Sequence, residues 1–217
     1  MQNVLVGPPP LPRIFDEIGL ADPSMYLRSV SEVLERLPVP AIEEVVERLF
    51  RAYWQDRAVY VFGNGGSAAL ASHTACDLGK GTTGNGTKPF RVLSLTDNVS
   101  LMTAWANDTS YENVFAAQLR PLIQPGDIAF AISGSGNSPN VLRALDVARE
   151  AGGFNVGLTG FEGGKMKDLC DLCITTPSDN MQHIEDSHVC VMHAVFLALC
   201  RLIRNADLAL AAYGTSA

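Results

Sequence analysis

Positive charge is in short supply in this chain: 16 lysines and arginines stand against 23 aspartates and glutamates, for a formal charge of −7. Such a balance argues against general affinity for nucleic acid or anionic membranes. No apolar run approaches the roughly 18–20 residues of a membrane span, and the proline-rich start lacks both the basic and the apolar region of a signal peptide. The expectation is a cytoplasmic chain with neither a membrane nor a nucleic-acid partner. Cysteine is sparse and odd in number, at five, which reads as reduced thiols rather than a disulfide framework. Cys170 and Cys173 have the spacing of a redox or zinc motif without a second Cys/His pair close by. The run from Leu169 to Ile174 looks like entry into a buried strand, so the two thiols are read as packing. Two familiar nucleotide fingerprints are also missing from the glycine-rich segments: neither the Lys-Ser/Thr ending of a P-loop nor the G-x-G-x-x-G dinucleotide spacing is there.

What is present suits one domain. A chain of 217 residues with 47% hydrophobic content can bury a substantial core without a second domain. Residues 1–24, with Pro8-Pro9-Pro10, read as an N-terminal tail, and residues 25–217 as a single domain that includes N-terminal helices. Helical spacing of apolar residues over Tyr26–Leu37 and Ile42–Trp54, broken by Pro38-Val39-Pro40, predicts a helical hairpin. From Val59 onward strands and helices alternate. Strands are expected at Val59–Phe62, Arg91–Leu95, Ile128–Ile132, Phe154–Leu158 and Leu172–Thr175. Helices are expected from Ser67 to Leu78, through Leu101–Trp105 and Tyr111–Ile123, over Asn140–Arg149, as a turn near Lys165–Leu169, and from Met181 to about Arg204. This alternation predicts an α/β three-layer sandwich, with a mostly parallel five-stranded sheet covered by helices on both faces. Ligands of such sheets sit at the carboxyl ends of strands near a topological switch.

Two joints fall at such strand ends, Gly63-Asn64-Gly65-Gly66-Ser67 and Ser133-Gly134-Ser135-Gly136-Asn137-Ser138. Glycines let the backbone approach an anion, serine hydroxyls add donors, and a helix N-terminus offers unpaired N–H groups with a favourable dipole. Ser67 is read as the N-cap of the first helix. Ser138 is read as the N-cap of the second, with Pro139 at the first helical position. Each joint alone could be a plain strand-to-helix turn; together they suggest a phosphate held between them.

His73 and Asp77 share a helix face four residues apart, spaced as a base and its partner, as two ligands of one metal, or as an ordinary surface pair. The last helix carries His183, Glu185, Asp186, His188 and His193, with Glu185 and His193 about 80° apart around the axis. His193 lies where the helix is apolar almost all round, so it needs a partner, whether a backbone carbonyl in the core or a functional group. Asp97, after the second strand, reads either as a hydroxyl contact or as a helix cap.

The two joints, Leu158-Thr159-Gly160 and the helix with Glu185, Asp186, His188 and His193 follow one another as in the sugar isomerase (SIS) domain. From about Tyr26 to Arg204 the chain resembles that flavodoxin-like family, and within it the phosphoheptose isomerases, which interconvert sedoheptulose 7-phosphate and D-glycero-D-manno-heptose 7-phosphate. The resemblance implies a phosphate cradle of Ser67, Ser133, Ser135 and Ser138, with Asp77 and His193 catalytic; the first joint and the end of the second strand add Asn64, Gly65 and Asp97 as substrate-binding candidates. It also implies a zinc site, or one for another divalent metal, from His73, Asp77, Glu185 and His193, and a homotetramer whose active sites lie at subunit interfaces. Two positions depart from the family pattern: Asp77 stands where the isomerases usually have glutamate, and Glu185 where they usually have glutamine. The departures leave open an isomerase of another sugar phosphate. A non-catalytic SIS protein, acting by protein contacts or phosphosugar sensing, is the rival from another class.

Overall fold

The computed structural model describes residues 22–83 and 88–205. Residues 1–21, with most of the expected tail, and residues 206–217 lie outside them. The five strands are β1 (Val59–Gly63), β2 (Val92–Ser94), β3 (Ile128–Ser133), β4 (Phe154–Thr159) and β5 (Leu172–Thr175). All pair in parallel, in the order β2-β1-β3-β4-β5. β1 and β3 are buried at every position, as strands covered on both faces must be, which is why they read as continuous apolar runs. The Asp127 carboxylate accepts from the backbone N–H of Ala58 and of Gln124, both at 2.9 Å, tying the entry of β1 to that of β3.

Alternation along these strands sends side chains into two separate cores. Val59, Val61, Ile128, Phe130 and Ile132 face one core, and Tyr60, Phe62, Ala129 and Ala131 the other. The first core is closed by α2 (Val39–Trp54), α3 (Gly66–Cys76) and the 24-residue α8 (Met181–Arg204), and α1 (Pro23–Glu35) lies against α8 outside it. The second is closed by α4 (Val99–Asp108), α5 (Ala116–Leu119), α6 (Pro139–Glu150) and α7 (Met166–Leu169). Both α1 and α2 dock on α8. Asp22 caps α1 by accepting from Ser24 N at 2.9 Å. The Tyr26 hydroxyl donates to the Asp186 carboxylate at 2.6 Å, and that carboxylate pushes the phenol pKa up to about 12.

Three expectations need correction. The segment Tyr111–Ile123 is not one helix but a 3₁₀ turn, Tyr111–Asn113, followed by the four-residue α5. The first joint is capped by Gly65 at φ +57, with helix from Gly66, so Ser67 lies inside the first turn and not at the cap. Glycine suits that positive φ, which serine would adopt only with strain. Finally, α8 is long and apolar enough to cross a membrane by length and composition. Its packing is that of a core helix, with Ile184, Val191, Val195 and Leu199 wholly or almost wholly buried.

Candidate active site

The strand order reverses between β1 and β3, and both serine-glycine joints leave from that point, one from each strand. No side chain caps either following helix. Ser138 is the N-cap of α6 with Pro139 at the first position, yet its hydroxyl faces Ser133 Oγ at 3.4 Å instead of the helix. Ser135 Oγ accepts from Asn137 N at 3.3 Å, and Gly136 has φ +63. A side chain at Gly136 would collide with the Gly163 carbonyl, so this turn admits only glycine. The second joint is further pinned by Gly160 N donating to Gly134 O at 2.9 Å. His188, 1% exposed, donates from Nε2 to Thr159 O at 3.1 Å. Burial pulls the His188 pKa down to about 4 against the hydrogen bond's opposing pull, so this imidazole is neutral at pH 7.

Asn64 joins the two segments. Its Nδ2 donates to Asn140 Oδ1 at 2.9 Å, Asn140 Nδ2 donates back to Asn64 Oδ1 at 2.8 Å, and the Tyr111 hydroxyl donates to the same Asn64 oxygen at 3.0 Å. Asn140 is 2% exposed and was not among the residues singled out from the sequence.

About two and three turns from the first joint, along and just past the end of α3, His73 and Asp77 meet His193 from α8. Asp77 Oδ2 lies 3.5 Å from His73 Nε2 and 3.9 Å from His193 Nε2, and the two imidazoles stand edge to face at 5.0 Å. At those lengths the groups surround a point more than they bond to one another. Their ligand atoms all fall within 4.8 Å. A tetrahedral zinc with bonds of about 2.1 Å separates its ligands by roughly 3.4 Å, so this donor set fits a divalent ion. A π-helical turn, Asp77–Gly81, begins at the aspartate; such turns often mark functional positions.

Glu185 is not part of this cluster. Its carboxylate lies against Gly66, where an added Cβ would meet its oxygens at 3.1 and 3.2 Å, which places the negative charge beside the first joint. Asp97 accepts a short hydrogen bond from Ser72 Oγ on α3. It lines a groove of about 800 Å³ with Asn98 and Trp105. Cys170 and Cys173 converge over Gly157, whose missing side chain leaves room for both sulfurs. A hydrogen bond from the Cys170 thiol to Cys173 holds the Cys170 proton in place and raises its pKa.

A profile of the SIS domain matches residues 25–160, both joints and the His73–Asp77 pair included. The chain belongs to the SIS domain family. Its similarity to SIS proteins extends past the profile. It is 41% identical to the phosphoheptose isomerase of Rhodospirillum rubrum over 167 residues, which cover 77% of this chain and 86% of that one. It is 36% identical to that of Pelobacter propionicus over 179 residues, covering 82% and 92%. The structure of the phosphoheptose isomerase from Neisseria gonorrhoeae superposes with a TM-score of 0.75 at 29% identity, covering 84% of this chain and 96% of that one. The five-stranded parallel sheet and flanking helices are thus the SIS architecture.

Proposed function

We propose that the protein is a phosphoheptose isomerase that interconverts sedoheptulose 7-phosphate and D-glycero-D-manno-heptose 7-phosphate through an enediol. The observation that carries this reading is the Asp77 carboxylate held between two histidines, on the helix whose N-terminus opens a phosphate-facing joint. The relatives named above support the substrate assignment.

The phosphate is bound between the joints by backbone N–H groups and by Ser67, Ser133, Ser135 and Ser138, with Asn64, Gly65 and Asp97 completing the cradle around the sugar. Anchored there, the ketose presents C1 and C2 to the groups further along α3 and α8. Asp77 removes a proton from C1 while His193 donates one to the C2 oxygen, giving the enediol. Asp77 then returns its proton to C2, and His193 takes the proton of the C1 hydroxyl, leaving the aldehyde. His73, Asp77 and His193 would hold zinc or another divalent ion; when bound, the ion would supply a Lewis acid for charge developing on oxygen. Asp77 is shorter by one methylene than the glutamate usual in the family, yet its carboxylate still reaches the cluster.

The face of α8 that carries His193 continues as exposed Val189, Ala194, Leu197 and Ala198. An apolar stripe beside the catalytic histidine supports a homotetramer with the site at a subunit boundary. A cytoplasmic location goes with this metabolic role.

The test is incubation of purified protein with sedoheptulose 7-phosphate, with and without added zinc, following aldoheptose phosphate by NMR. Turnover abolished in Asp77→Asn supports the reading and the role of Asp77. A folded protein without turnover in either condition overturns it and shifts the assignment to another sugar phosphate or to a binding protein.

A further inference from the structure

Two joints that cradle one anion must keep a fixed separation, yet they are 70 residues apart in sequence and on different strands. Beyond the sheet pairing that sets Gly63 opposite Ile132, their side chains are linked by the carboxamide pair Asn64–Asn140, whose hydrogen bonds are oriented by a neighbouring backbone group. The backbone N–H of Val141 is shared between Ser138 O and Asn140 Oδ1, each at 3.0 Å. A backbone N–H can only donate, so that atom of Asn140 is the oxygen and its Nδ2 faces the other way. The group of Asn64 opposite Asn140 Oδ1 must then be Nδ2, and the one opposite Asn140 Nδ2 must be Oδ1. Asn64 Oδ1 consequently receives two donors, Asn140 Nδ2 and the Tyr111 hydroxyl. Asn64 is left with one N–H not engaged by these partners.

Tyr111 is 56% exposed, so its hydroxyl is not driven onto Asn64 by burial. Its 3₁₀ turn is instead strapped to α6: Arg143 Nη1 donates to Asn113 Oδ1 at 2.6 Å and lies 3.7 Å from the Glu112 carboxylate. The turn, the first joint and the start of α6 thereby close a ring around the Asn64 amide.

We propose that Asn140 and Tyr111 are positioning residues that lock the spacing of the two phosphate-facing joints through Asn64. The proposal rests on the phosphate-cradle reading above. Tyr111→Phe removes one hydrogen bond at an exposed ring and leaves packing intact. Asn140→Asp keeps an acceptor for Val141 N and Asn64 Nδ2 but cannot donate to Asn64 Oδ1, and it brings a negative charge toward the anion.

Two readouts separate this inference from the substrate assignment: the KM and kcat for sedoheptulose 7-phosphate, and calorimetric binding of inorganic phosphate, which needs no turnover. For Tyr111→Phe we expect phosphate affinity to weaken and KM to rise together by about 3- to 10-fold, the worth of one hydrogen bond, with kcat within about twofold and the melting temperature unchanged. Asn140→Asp should weaken both by more. Phosphate binding by Tyr111→Phe equal to wild type overturns the proposal, as does a fall in kcat with KM and phosphate binding unchanged. Absence of phosphate binding by wild type also overturns it. A wild-type protein that binds phosphate but does not isomerise the heptose overturns the substrate assignment alone, and the phosphate comparison still decides this inference.

Discussion

Asp77 is the residue on which the most chemistry converges, 3.5 and 3.9 Å from the two imidazoles. Asp77→Asn keeps the shape and removes the proposed base, so turnover should fall by about 10²- to 10⁴-fold with an unchanged circular dichroism spectrum. Glu185 makes a different kind of prediction. Its carboxylate borders Gly66 at the first joint and opposes an incoming phosphate, so Glu185→Gln should tighten inorganic phosphate binding by roughly 3-fold at low salt, and by less as ionic strength rises. Calorimetry at two salt concentrations checks both the sign and the screening. At this scale the sequence was legible where a contact follows helical period, as for His73 and Asp77. His193 meets them only through the docking of α8 beside α3, which the family resemblance supplied and spacing could not. Asn140 carried no signal of its own: an asparagine after a proline in a first helical turn gives no hint of a partner 76 positions away.

Among the elements, α8 bears the consequence of a buried histidine. His188 is neutral in the folded chain because burial lowers its pKa from 6.5 to about 4. Above pH 6.5 neither folded nor unfolded protein binds that proton, and stability is flat with respect to this group. Between pH 6.5 and about 4 only the unfolded chain takes it up, so stability falls by up to about 3 kcal/mol, and below pH 4 the loss levels off. Denaturant melts of wild type against His188→Gln, which keeps a donor for Thr159 O, should show the slope over that window reduced in the variant. Element types and order were read correctly for all five strands because buried parallel strands give continuous apolar runs, and for α8 because of its length. The break within Tyr111–Ile123 was missed because its apolar residues, Val114, Phe115, Leu119 and Ile123, are all buried and mimic helical spacing even though they come from the link after a 3₁₀ turn, a short helix and a loop.

For the molecule as a whole, the acidic balance and the apolar stripe on α8 pull in different directions. A charge of −7 keeps copies apart through solution, while Leu197, 65% exposed beside Val189, Ala194 and Ala198 on α8, is left uncovered by the described residues. Leu197→Glu should therefore shift the assembly toward monomer, read by light scattering on a sizing column, and should lower activity in step if His193 works at a subunit boundary. The topology was foreseeable because β–α alternation admits few solutions. The proposed assembly comes from the family resemblance, since one chain's pattern does not say which buried-looking face another copy covers.

The sheet ends at β2, three residues long, and at β5, four residues long. Edge strands this short are poor templates for a further strand. Among the described residues, then, a single chain offers only short margins to sheet growth; what accumulates in a Leu197→Glu preparation should be soluble single chains, with no fibrous product.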